Sequence, residues 1–75
     1  MTTSNFETLD KEKRNLNDKI NRLSANKRAY LEAANRTSDE NLEAMLDVEY
    51  DKTQAEIDKL VAMVWKLDEK MSALV

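Results

Sequence analysis

Apolar residues recur through the first half of the chain at Phe6, Leu9, Leu16, Ile20, Leu23, Tyr30 and Ala34, and Lys13 and Lys27 fill the gaps in the same rhythm. The spacings alternate between three and four residues, the pattern of a helix that buries one stripe against a neighbouring helix. The second half repeats the pattern at Leu46, Tyr50, Thr53, Ile57, Leu60, Val64, Leu67, Met71 and Leu74. No stretch alternates apolar and polar residues over the length of a strand, and no Asn-Gly pair is present to turn a hairpin of strands. The pattern predicts an all-α fold of two long helices.

Two local signals place the ends of these helices. Ser4 with Glu7, and Thr37 with Glu40, each read as a capping box, in which the hydroxyl accepts from a first-turn amide and the Glu reaches back to the cap. Asn35 is the residue best suited to a left-handed turn closing the first helix. Helix 1 is therefore expected over about residues 5–34, a turn over about 35–37, and helix 2 over about 38–74. No Pro or Gly forces a break, so one unbroken helix is the rival reading, and the phase of the seam favours the break. Positions 6, 13, 20, 27 and 34 share one heptad phase, which continues onto Asn41, Val48, Ala55 and Ala62. The apolar seam instead runs through Tyr50, Ile57, Val64 and Met71, two residues away. A stutter inserts four residues and a stammer three, so neither rescues a continuous rod. The expected architecture is one antiparallel, coiled-coil-like hairpin over residues 1–75. In it Phe6 faces Leu67, Leu9 faces Val64, Leu16 faces Ile57, Ile20 faces Thr53 and Leu23 faces Tyr50, and Met71 to Val75 overhang.

Composition narrows the function classes. The chain contains no Gly, Pro, Cys or His, and 36% of its residues are charged. Thiol nucleophiles, Cys-based zinc sites, the commonest general base and Gly-rich phosphate loops are all excluded. The first residues lack the basic and apolar segments of a secretory signal. The longest apolar run, Leu60 to Trp65, is six residues long, against the ~18 that suggest a membrane span. The expectation is a small, acidic, cytoplasmic protein without a membrane segment. The start at Met1 and the lack of appended tails lead us to expect a whole small protein.

That apolar run carries the main expectation about partners. Six consecutive residues cover the full circumference of a helix at 3.6 residues per turn, whereas a neighbouring helix covers a stripe of about 100°. The expected opposite segment, Leu9 to Arg14, is mostly charged. Val61, Met63 and Trp65 are therefore the candidate self-association or partner interface, since exposed Trp and Met cluster at interface cores. A lone hairpin of this length buries few side chains, so association of two hairpins into a four-helix bundle is the expected stabiliser. Trp65 and Val61 are expected between the protomers of such a homodimer.

Charge divides unevenly between the halves. Residues 1–36 hold eight Lys/Arg and five Asp/Glu, and residues 37–75 hold four and ten. This asymmetry favours pairing of helix 1 with helix 2. Lys13 and Lys27 are expected to lay their stems along the seam and extend their ammonium groups to water. Away from the seam, Arg14, Asn15, Asn21, Arg22, Arg28, Asn35 and Arg36 read as one face of helix 1, with Glu7 the only acid, at its end. This is the candidate anion-binding face, and by architectural analogy it supports an alternative, a Rop-like nucleic-acid-binding regulator. The carboxylates of helix 2 (Glu40 with Glu43, Asp47 with Asp51, and Asp58) share faces by spacing alone, without a calcium loop or a Glu-x-x-His motif. No catalytic, cofactor-binding or metal-binding residues are expected. The favoured function is a non-enzymatic protein–protein interaction module, a small assembly factor, adaptor or inhibitor whose protein partner the sequence does not identify.

Overall fold

The computed structural model describes residues 2–74, with side chains from residue 5 onward. It contains two helices, α1 over Thr2–Arg36 and α2 over Glu40–Ala73, which pack against each other as a hairpin. The molecule measures 58 × 14 × 11 Å, the outline of a two-helix rod. Both helices are long because the chain offers no Gly or Pro to interrupt them and is rich in Ala, Leu, Glu and Lys.

The turn lies at residues 37–39, two residues later than the sequence suggests. Asn35 is helical, and no described non-Gly residue has a positive φ, so the left-handed closure at Asn35 is absent. The cap of α2 is Asp39 rather than Thr37. Its backbone is extended (φ −86°, ψ 110°), and Oδ1 accepts from the amides of Asn41 at 2.9 Å and Leu42 at 3.3 Å. Thr37 ends α1 instead: its amide donates to the Ala33 carbonyl at 3.1 Å, and its hydroxyl accepts from the Asp39 amide at 3.2 Å. Three cap-forming residues stand in a row, Thr37, Ser38 and Asp39. The carboxylate wins because it satisfies two orphan amides and carries a full negative charge at the positive end of the helix. The first capping box is corrected as well. α1 begins at Thr2, so Ser4 has helical backbone and is not the cap, and its side chain lies outside the described residues.

The seam contains the expected residues. Ile57, Val64 and Leu67 are buried at 7–9% exposure, together with Thr53 at 8%. Leu9, Lys13, Leu16, Ile20, Leu23, Lys27, Tyr30 and Ala34 of α1 are half-buried. Phe6, expected at the start of the seam, is 38% exposed at its edge. Thr53 is tolerated among apolar neighbours because its hydroxyl donates to the Glu49 carbonyl at 2.7 Å, within its own helix.

The register differs from the expected one by about one to two helical turns. Lys13 Nζ meets Asp68 Oδ1 at 2.6 Å, where the earlier turn would have placed it opposite Leu60. Lys27 Nζ donates to Gln54 Oε1 at 2.6 Å and lies 5.4 Å from the Tyr50 ring centroid, rather than opposite Leu46. Two causes act in the same direction. The turn is two residues later, and side chains lean toward the N-terminus of their own helix, so antiparallel partners meet at higher residue numbers on both helices. The overhang disappears too: Lys70, Ala73 and Leu74 lie beside Asn5, Thr8 and Leu9, while Val75 is outside the described residues. The two seam lysines also depart from expectation, because their ammonium groups bridge the helices instead of simply reaching water.

Two expectations follow for stability, both read from thermal melts followed by circular dichroism. Asp39→Ala should cost about 1 kcal/mol, and Ser38→Ala a few tenths at most. A larger loss from the Ser38 variant would contradict the cap assignment. Ile57→Ala should cost about 2–4 kcal/mol, whereas Leu31→Ala, on an exposed residue, should stay within about 0.5 kcal/mol.

Candidate interaction surfaces

The apolar run Leu60–Trp65 does not form one patch. Because Lys13 reaches Asp68, the run faces the turns of α1 that follow Lys13, which include the seam residues Leu16 and Ile20. The expected charged cover of Leu9 to Arg14 is therefore not the segment opposite it, and Leu60 and Val64 sit in the seam. Met63 and Trp65, two residues apart, emerge on opposite flanks of α2. Met63, 46% exposed, lines a groove with Glu12, Asn15, Leu16 and Lys19. Trp65, 66% exposed, shares the other flank with half-buried Val61, one turn away.

The chemistry of the two flanks differs. Asp58, Asp68 and Glu69 lie three or four residues from Val61 or Trp65, and no basic residue occupies such a position. The Trp65 flank is therefore an aromatic and aliphatic spot with an acidic border. On the same side, Lys13 engages Asp68, and Lys27 engages Gln54, whose amide in turn donates to Asp58 Oδ1 at 2.8 Å. The Met63 flank carries bases as well, with Lys66 and Lys70 lining the groove beside Met63 and Leu67.

A second apolar patch, near the turn, falls outside the residues singled out from the sequence. Leu42, Met45 and Val48 are 44%, 67% and 50% exposed, and Met45 and Val48 share a surface depression with Ala44 and Glu49. The signal for it was present in the sequence, since these residues lie off the seam phase on a helix whose other off-seam positions are mostly charged or small.

The candidate anion-binding face is exposed throughout: Arg14, Asn15, Asn21, Arg22, Arg28, Asn35 and Arg36 all reach solvent. It is neither a single stripe nor free of acids. Asn15 turns to the Met63 groove. Arg14 Nε pairs with Asp10 Oδ2 at 3.1 Å. Asp18 stands one turn from both Arg14 and Arg22, and Glu32 one turn from both Arg28 and Arg36. Glu7 is therefore not the only acid, and the positive potential is interrupted along the helix.

The remaining features offer little for chemistry. The carboxylates Glu40, Glu43, Asp47, Asp51 and Asp58 are exposed, and among the described residues no group of His, Cys, Asp or Glu could hold a metal ion. The open ends of the helices frame a shallow cleft lined by Asn5, Thr8, Leu9, Lys70, Ala73 and Leu74. Among the described residues, no helix is long and apolar enough to cross a membrane.

Interleaved acids should keep the Arg/Asn face from tracking a phosphate backbone. Titration of a labelled RNA or DNA duplex in about 50 mM salt should give no saturable binding. Saturable binding that weakens with salt, at a log–log slope of roughly −0.9 per phosphate contacted on DNA, would reverse that expectation.

No family model matches the chain, and no curated protein or solved structure matches it.

Proposed function

We propose that this hairpin is a non-enzymatic protein–protein interaction module that works as a homodimer and presents helix surfaces to a partner protein, in the manner of a small assembly factor, adaptor or inhibitor. The observation that carries this reading is the thinness of the seam. Its buried hydrophobic residues, among those described, are Ile57, Val64 and Leu67, whereas Met45 and Trp65 are about two-thirds exposed. A single stripe between two helices buries too little apolar surface for a comfortably stable domain, and association supplies the remainder. Aromatic and Met side chains held outward on a rigid helix are the residue types that anchor interfaces.

The two flanks of α2 support a division of labour. Within α2 the charged residues one turn from Val61 and Trp65 are all acids. Although Lys13 of α1 engages Asp68, Asp58 and Glu69 are left without a base there among the described residues, which suits a partner segment that is basic and apolar. The Trp65 flank is the partner-facing surface. The Met63 flank, with charges of both signs, is the one suited to self-association, in place of the Trp65 and Val61 contact expected from the sequence.

Sedimentation equilibrium across a wide concentration range tests the dimer. The expected mass is twice the 8.7 kDa of the chain at high concentration. It should fall on dilution together with the helical signal, because dissociation exposes a marginal hairpin. A single-chain mass at every concentration, with helicity intact, would refute self-association.

A further inference from the structure

The Met63 flank of α2 has a charge order that a second copy of this chain can read. From Leu42 to Lys70, every third and then fourth residue falls on this one flank, parallel to the seam but outside it. Its apolar members, Leu42, Met45 and Met63, are 44–67% exposed, and its charged members are exposed as well. Structural proximity supports the continuity of the stripe. Met45 and Glu49 share one depression, and Met63, Lys66 and Lys70 share one groove.

We infer that a second copy docks on this flank with its α2 antiparallel, about a two-fold axis crossing the helix between Lys52 and Glu56. This assignment rests on the proposed self-association and specifies its surface and register. A two-fold interface is self-complementary: if residue i meets residue j, then j meets i. Around that axis Met45 meets Met63, Glu49 meets Lys59, and Lys52 meets Glu56, each pair occurring twice. One turn further out, Leu42 lies under the Lys66 stem, and the acids at the start of α2, Asp39 and Glu43, approach Lys66 and Lys70. The three-and-four spacing places these partners in the mixed layers that antiparallel helices form. A parallel arrangement of the same stripe would set Glu49 on Glu49, Lys52 on Lys52, Glu56 on Glu56 and Lys59 on Lys59. Opposite charges at every central layer select the antiparallel form, and like charges exclude the other.

The structure supplies little competition for these charges. Glu49 and Lys52 contact each other at 3.8 Å across three residues, with side chains 51% and 70% exposed, a weak pair that a closer partner replaces. On α1, Lys19 shares the Met63 groove, and helical spacing puts Arg22, Ala29 and Ala33 on the same side of α1 as Lys19. In the antiparallel dimer the small alanines stand level with the basic residues of the other copy, so the helices approach without placing like charges together. The Trp65 flank faces away from the axis and stays open, as the partner-facing role requires.

Charge exchange tests the register, with sedimentation as the readout and circular dichroism confirming that each variant folds. Glu49→Lys should raise the dimer dissociation constant about tenfold or more, because it places Lys opposite Lys59 twice per dimer. Adding Lys59→Glu in the same chain should restore the parent value. Trp65→Glu should leave the dimer unchanged. The chain has no cysteine of its own, so crosslinking supplies an independent reading. Met45→Cys and Met63→Cys chains should form disulfide dimers on oxidation when mixed, and neither should do so efficiently alone. A dimer that ignores the charge exchange, dissociates with Trp65→Glu, or crosslinks through Met45→Cys alone would overturn this interface while leaving self-association standing. A parent chain that is monomeric at all concentrations would overturn both.

Discussion

The structure depends on one constraint: two helices in contact can bury only one stripe of each. That stripe is the seam through Ile57, Val64 and Leu67, and the rest of the surface meets water. Helix propensity makes long helices available here, but an isolated helix gains little in water without a packed face, so the seam keeps both helices in place. Because the seam is thin, large hydrophobic residues such as Met45 and Trp65 remain exposed.

The seam is also unequal. Among the described residues, its buried members belong to α2, and α1 answers with half-buried residues that include two lysines. Those lysines do more than fill space. Lys13 on Asp68, and Lys27 between Gln54 and Tyr50, tie the helices at two points along their length. Such contacts contribute little net stability at partly exposed positions. Their effect is on alignment, because a shift of one turn would separate Lys13 from Asp68 and Lys27 from Gln54 together. Polar residues in an apolar seam commonly trade some stability for a single register.

Outside the seam, charge order matters more than charge count. On α1, acids and bases one turn apart satisfy one another locally, as Asp10 and Arg14 do, and this quiets a face that looks basic when only its arginines are read. On the Met63 flank of α2, the same alternation is arranged symmetrically about the middle of the stripe, which is the basis of the proposed antiparallel dimer. On the Trp65 flank of α2 the alternation is missing, and of its acids Asp68 is met by Lys13 of α1. Three faces of one small hairpin thus differ in the order of their charges.

The sequence by itself determined the two helices, the residues of the seam and the need for a break, because helical period and heptad phase are local properties that any compact arrangement must respect. Leu16, Ile20, Ile57, Val64 and Leu67 were legible for that reason. Tertiary structure alone decided the turn at Thr37–Asp39, since three adjacent residues could each cap a helix and only the packed chain selects among them. It also decided the register, which depends on where the turn falls and on how side chains lean between helices, and the separation of Met63 from Trp65. In the sequence those two residues are near neighbours, but the partner helix gives a helix its two flanks. Only when α1 covers the seam does a continuous apolar run become two surfaces with different chemistry.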